Sequence, residues 1–427
     1  VAALAASFIV IPTALFHALS VLALFRLPFV LGALALVALA AGPRRARREV
    51  ERYARLWRLL RSRLRESRHR QVLLVVAVLL APTLLRGLIL PPMGWDSLTY
   101  HVFKAAEWLR TGGVDGMAGT GPFGCHRLMF GGGEVLSAFG FLPFGDDTLA
   151  GFLDGLLYLG AGLGTLLAAR ALRVKEPFAS SAALFVLSVP VLRLMPGSGY
   201  VEGGIVAALF VGHALLSEAR SRLPVLLGAA TLGVAAGIKF PVLGMATAGL
   251  VVSLIELRIQ RRLTLAASVL AFAAFASFVA PWMLRAARET GYPLSPIPIR
   301  AFGITLGVAS PEVAWWIDHA DLPAYRLSAE AHALQQVFGL PADVTAAQGV
   351  WPFALLLLAA APRGARRCFS RPGGPALLVM GVVNLALYFS PGFSLVRLEW
   401  ASSSARFLLP ALVVLGITGL AAGRIRE

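Results

Sequence analysis

Charged side chains are scarce in this chain. They make up 14% of its 427 residues, where a soluble domain carries about 25%. Hydrophobic residues reach 58% and the mean hydropathy is +0.76. That composition excludes a disordered chain and an ordinary water-soluble globule. Cysteine is nearly absent, with two residues, Cys125 and Cys368. The topology read below puts them on opposite sides of a membrane. No disulfide scaffold or cysteine-based metal cluster is therefore expected. Lysine is nearly absent too. Only Lys104, Lys175 and Lys239 occur among 39 basic residues.

The net charge of +17 is not spread evenly. Residues 43–70 hold twelve arginines against Glu49, Glu51 and Glu66, about half of the total. A basic segment between apolar runs reads as a cytoplasmic anchor. Aromatic and basic residues are not interleaved on a folded unit, so no nucleic-acid partner is expected.

What the chain does have is long apolar runs. They fall at 4–24, 27–42, 71–90, 148–169, 178–195, 203–217, 223–238, 241–256, 264–283, 350–362, 375–391 and 405–421. At about 20 residues per crossing, they predict an all-α polytopic bundle of about twelve transmembrane helices. Residues 132–144 form a further apolar stretch too short to span, read as re-entrant or interfacial. Every short basic loop then falls on the side of 43–70. Residues 91–147 and 284–349 become two large extracytoplasmic loops with interfacial helices. The start has no basic stretch before its first apolar run, which continues into a second, so a cleavable signal is not expected. The chain divides into an N-terminal hairpin with its Arg-rich loop (1–70) and a transmembrane module (71–427).

Large outer loops on a bundle suggest chemistry at the outer membrane face. A carrier more often places polar groups within its spans. The densest polar segment is Gly94-Trp95-Asp96-Ser97-Leu98-Thr99-Tyr100-His101. Residues 97–110 have helical periodicity. Leu98, Val102, Ala105, Ala106 and Leu109 form an apolar face, with Tyr100, Lys104 and Glu107 opposite and His101 and Trp108 at the flank. This predicts an amphipathic interfacial helix, ended by Thr111-Gly112-Gly113. Asp96 has two compatible readings: a helix N-cap, or an outward carboxylate among Trp95, Tyr100 and His101 that meets a sugar hydroxyl.

Further motifs follow in order: Gly133-Glu134-Val135-Leu136, Gly197-Ser198-Gly199-Tyr200-Val201-Glu202, Gly237-Ile238-Lys239-Phe240-Pro241, Arg288-Glu289-Thr290-Gly291-Tyr292-Pro293 and Ala405-Arg406-Phe407-Leu408-Leu409-Pro410. Together with Asp96 they resemble the GT-C superfamily of bacterial integral-membrane glycosyltransferases. The nearest groups are the protein mannosyltransferase-like and aminoarabinose-transferase-like families. The resemblance covers about 72–415. It implies a polyprenyl-phosphate sugar donor, an acceptor lipid, glycan or protein, and an active site facing the periplasm of a bacterial inner membrane. The tandem Asp-Glu of protein mannosyltransferases is missing, since Ser97 follows Asp96. The chain given ends just after its last apolar run, so acceptor recognition is expected from the two outer loops.

Sugar transfer needs a base for the acceptor proton and positive charge at the departing phosphate. Asp96 is the candidate base. Glu202 or Glu134 would position the acceptor, share the proton or hold a divalent metal. Lys239 and Arg406 would meet the phosphate, with Trp95, Tyr100 and His101 lining the substrate site. Bland alternatives stand beside these roles. Lys239 and Arg406 could snorkel to the interface. Glu134 and Glu202 could serve helix N-termini. No HxxxH or HExxH spacing occurs, so metal dependence is left open. In the second outer loop, Trp315 and Trp316 read as an interfacial belt and 327–339 as a helical lid. A flippase for lipid-linked sugars and a non-catalytic subunit of a glycan-assembly complex remain the rival readings.

Overall fold

The computed structural model describes residues 1–42, 51, 54, 55, 58, 61, 62, 67–89, 91, 92, 94, 96–114, 124–295, 299–301, 304–306, 350–388 and 405–422. Trp95, most of the Arg-rich loop, Trp315, Trp316 and the 327–339 segment lie outside the described residues.

The fold is almost wholly helical. Each apolar run falls on a helix: α1 (Ala2–Ser20), α2 (Leu27–Ala41), α3 (Ser67–Ile89), α6 (Ala150–Ala171), α7 (Phe178–Ser188), α8 (Glu202–Ser217), α9 (Arg222–Ile238), α10 (Phe240–Ile259), α11 (Leu265–Thr290), α12 (Val350–Phe369), α13 (Gly374–Tyr388) and α14 (Leu409–Ala421). Between α3 and α6 lie two shorter helices, α4 (Val102–Thr111) and α5 (Gly132–Phe141). Among the described residues, α1, α6, α10 and α11 are long and apolar enough to cross a membrane. The protein is membrane-embedded.

The centre of the bundle is α8. All of its residues from Glu202 to Ser217 are buried. It packs chiefly against α6 and α9. At the α8–α9 crossing, a Cβ on Gly212 would stand 2.9 Å from the Gly228 carbonyl oxygen, and one on Gly228 would stand 3.0 Å from that of Gly212. Small residues let membrane helices approach to backbone contact, where packing rather than water exclusion drives association.

Prolines set several helix ends. The apolar run 178–195 is not one helix: α7 stops at Ser188 and a single turn follows at Pro190–Arg193. Val189, ahead of Pro190, is pushed out of the helical region to ψ 123°, because the proline ring crowds the residue before it. Pro241 breaks the chain between α9 and α10 in a similar way. A continuous helix would need its missing N–H and would drive its ring into the Gly237 carbonyl. Lys239 is therefore extended, at φ −145° and ψ 140°.

One departure from the all-helical expectation is a small antiparallel hairpin, Ile299–Ala301 with Ile304–Leu306. β-Branched Ile299, Ile304 and Thr305 favour extended backbone. The N-terminal hairpin docks on the far end of α4. Phe16 and Phe25 pack edge to face at 4.7 Å, and Phe16 meets Trp108 at 5.1 Å. The Phe25 N–H also donates to the Gly112 carbonyl at 2.9 Å.

Candidate functional site

Asp96, Glu134, Glu202, Lys239 and Arg406 come from five separate segments and meet at one end of the bundle. Asp96 follows α3. Glu134 and Glu202 occupy the first turns of α5 and α8. Lys239 sits at the α9–α10 break, and Arg406 lies in the turn Ala405–Leu408 that leads into α14.

Arg406 is the hub. Its Nη2 bonds Asp96 Oδ2, and its Nε lies 3.2 Å from Glu202 Oε1. The same Glu202 oxygen accepts from Lys239 Nζ at 2.7 Å. The guanidinium also lies over the Tyr200 ring, 4.4 Å from its centroid, a cation–π contact that adds to the ion pairs. Side-chain exposure is 4% for Arg406, 2% for Glu202 and 12% for Lys239. These are internal ion pairs, so the snorkelling alternative does not hold for Lys239 or Arg406.

The turn bearing Arg406 is itself anchored. Asn384, buried on α13, donates to the Phe407 carbonyl at 2.9 Å and accepts from the Ala411 N–H at 3.0 Å. A buried amide satisfied on both ends fixes its neighbours. Pro410 follows at the start of α14, where its missing N–H costs nothing.

Asp96 does not cap a helix. It has helical φ/ψ (−61°, −30°) and makes no side-chain cap. Its carboxylate is taken by Arg406 and by the Tyr100 hydroxyl, which donates to Oδ2 at 3.2 Å. Oδ1 receives no hydrogen bond among the described residues. With 13% of its side chain exposed, Asp96 is the most open member of the group. Burial pushes its pKa up, but Arg406 first and then Lys239 outweigh that and hold it below the ordinary 3.8.

The predicted helix at 97–110 is present, but it starts as a π-turn, Ser97–His101. Such turns are frequent at functional sites. Its exposure follows the expected faces only in part, since Ala105 is buried with the polar residues and Leu98 is not. Leu98 and Phe103 are exposed, whereas Tyr100, His101, Lys104, Ala105 and Trp108 are buried. Electrostatics explains the burial of His101 and Lys104. Lys104 Nζ lies 3.4 Å from Glu134 Oε1, and His101 Nδ1 lies 3.1 Å from the same oxygen. A buried carboxylate needs cations and donors around it, so His101 and Lys104 turn inward.

Burial raises the Glu134 pKa, but Lys104 and His101 together bring it down to about 2. Burial holds His101 below its ordinary 6.5, which makes it neutral at pH 7. Tyr100 is stacked on His126, ring centres 4.4 Å apart and planes 17° apart. Lys104 Nζ stands 5.4 Å from the Tyr100 ring centre. Three carboxylates (Asp96, Glu134, Glu202) thus face three cations (Lys104, Lys239, Arg406). Among the described residues, no group of three His, Cys, Asp or Glu side chains gathers to hold a metal.

The sequence reading therefore names five charged residues that the fold unites. Tyr100 and His101, which it also names, lie beside Asp96 and Glu134, and Trp95 lies outside the described residues. The sequence reading assigns no contact to Lys104, Tyr200 or His126, which meet Glu134, Arg406 and Tyr100 respectively. One signal was available for Lys104: in a chain with three lysines, two of them belong to this cluster.

No family model and no curated protein matches the chain. Among solved structures, the chain is similar to ArnT from Cupriavidus metallidurans bound to undecaprenyl phosphate. That likeness has 16% identity and a TM-score of 0.52, and covers 82% of this chain and 60% of that one. The same protein in the apo state gives 14% identity and a TM-score of 0.49, covering 82% and 59%. This chain thus spans about 60% of the length of the solved protein. The shared arrangement is one of architecture, and the chain has a GT-C-like fold.

Proposed function

We propose that this chain is a membrane glycosyltransferase that moves a sugar from a polyprenyl-phosphate donor to an acceptor at the periplasmic face. The observation that carries this reading is the state of Asp96. One carboxylate oxygen is held by Arg406 and Tyr100, and the other has no partner among the described residues. The similar solved protein was crystallised with undecaprenyl phosphate, which supports a lipid phosphate as the anion that Lys239 and Arg406 meet.

The chemistry assigns each group a task. Asp96 Oδ1 takes the proton from the acceptor hydroxyl or amine. The acceptor atom forms a bond to the anomeric carbon while the carbon–oxygen bond to phosphate breaks. The electron pair leaves with the polyprenyl phosphate, whose charge Lys239 and Arg406 stabilise. Glu202 orients both cations. Glu134, through Lys104 and His101, fixes the helix that carries Tyr100. A bound phosphate competes for Arg406 and thereby releases Asp96 toward the acceptor.

The test is a transfer assay on purified protein in lipid with a panel of radiolabelled polyprenyl-phosphate sugars, comparing wild type with Asp96→Asn. Label that moves to an acceptor only when Asp96 is present supports the enzyme. Donor that crosses the bilayer with its glycosidic bond intact supports a flippase instead.

A further inference from the structure

One buried acid takes no part in that chemistry. Asp154 sits in the first turns of α6 with 3% of its surface exposed. A carboxylate inside a membrane bundle is expensive and usually has a purpose. Its partner here is a backbone group. Oδ2 accepts the Gly199 N–H at 2.7 Å. Gly197 and Gly199 both have positive φ, 74° and 71°. Asp154 supplies the acceptor for the Gly199 N–H, the second of them.

The turn so held is joined to the two halves of the candidate site. On one side, the Ser198 carbonyl between the two glycines accepts from the Gly94 N–H at 3.1 Å and from the Ser97 hydroxyl. Gly94 and Ser97 flank Asp96. On the other side, the turn runs directly into Tyr200, which lies against Arg406, and Glu202, which pairs with Lys239 and Arg406. The two segments touch closely: a Cβ on Gly199 would run into Ser97 Oγ. No side chain larger than hydrogen fits between the two segments.

We infer that Asp154 is a positioning residue that clamps the Gly197–Gly199 turn and thereby sets the distance from Asp96 to Tyr200, Glu202 and Arg406. It needs an acceptor oxygen at this place, not contact with any substrate. The inference deepens the transferase reading and rests on it for the catalytic consequence alone.

The experiment compares wild type, Asp154→Asn and Asp154→Leu as full chains in lipid nanodiscs, with Asp154→Ala as a second variant lacking the acceptor should the leucine variant not fold. Amide exchange is followed by mass spectrometry over 196–202 and, as a control, over α9. The acceptor-less variants should exchange about 10-fold faster or more at the turn, with α9 unchanged. Asp154→Asn, which retains an acceptor oxygen, should keep the turn protected. Equal protection in all variants overturns the inference, as does an asparagine variant as open as leucine. This arm needs no donor, so it decides the clamp even if no sugar transfer is found.

Where transfer is found, Asp154→Leu should lower kcat about 100-fold, the effect of a misplacement of about 1 Å. The acidic limb of its pH–rate profile should rise, since Asp96 loses the nearby Arg406. Asp154→Asn should restore both. A slowed Asp154→Leu whose acidic limb stays at the wild-type position overturns the link from Asp154 to Asp96.

Discussion

Arg406 and Asp96 are 310 positions apart in the chain, and their side chains bond directly inside the protein. Arg406 pairs at the same time with Glu202, which Lys239 also holds. One guanidinium thus joins the segment after α3 to the start of α8 and the entry to α14. An ion pair this buried gains little net stability over an apolar contact. Its value lies in fixing the geometry of groups that act on charge.

Asp96→Asn keeps the size of the side chain and removes its basicity. Turnover should fall by about 10²–10⁴-fold, the usual contribution of a positioned base. Binding of polyprenyl phosphate should be retained, because the cations are untouched. The check is a steady-state rate paired with equilibrium binding of the lipid phosphate. A variant with full turnover rejects Asp96 as the base.

Arg406→Gln should move the acidic limb of the pH–rate profile upward. In the folded wild type, Arg406 and Lys239 hold Asp96 below its ordinary 3.8. The stability this pairing contributes is complete above 3.8 and is lost as pH falls through the lower folded value. Without Arg406, protonation begins at a higher pH, and both activity and stability should fall earlier on acidification. An unmoved limb would show that Arg406 is not what depresses Asp96.

Lys239→Met should weaken binding of polyprenyl phosphate by about 10–100-fold, the loss expected for a charged hydrogen bond. The effect should shrink for a neutral polyprenol carrying no phosphate. Titration of both lipids against wild type and variant makes the comparison. Equal loss for the two would assign Lys239 to general packing rather than to the phosphate.

Lys104→Met strands Glu134 as a buried carboxylate without its nearest cation. The expected cost is about 3–5 kcal/mol. Adding Glu134→Gln to it should return part of that loss. Unfolding of both single variants and the double variant in detergent gives the coupling. Additive costs would mean that the two side chains act independently.

The helices were legible because membrane-length apolar runs leave few alternatives, and proline breaks such as those at Pro190 and Pro241 are local events. The candidate site was partly legible. Asp96, Glu134, Glu202, Lys239 and Arg406 stand out as polar residues beside apolar runs. Their pairing was not, nor was the role of Lys104. Periodicity at 97–110 put Leu98 and Lys104 on opposite faces, and only the fold shows that Lys104 is the buried one.

By itself the sequence determined the class of protein, the order of its helices and the residues that had to be explained. Backbone groups in a membrane must bond within their own segment, so local sequence dictates helix. Only the tertiary structure decided which carboxylate meets which cation and which way the interfacial helix turns. Those outcomes depend on partners brought together from distant segments, and on the cost of leaving a buried charge without one.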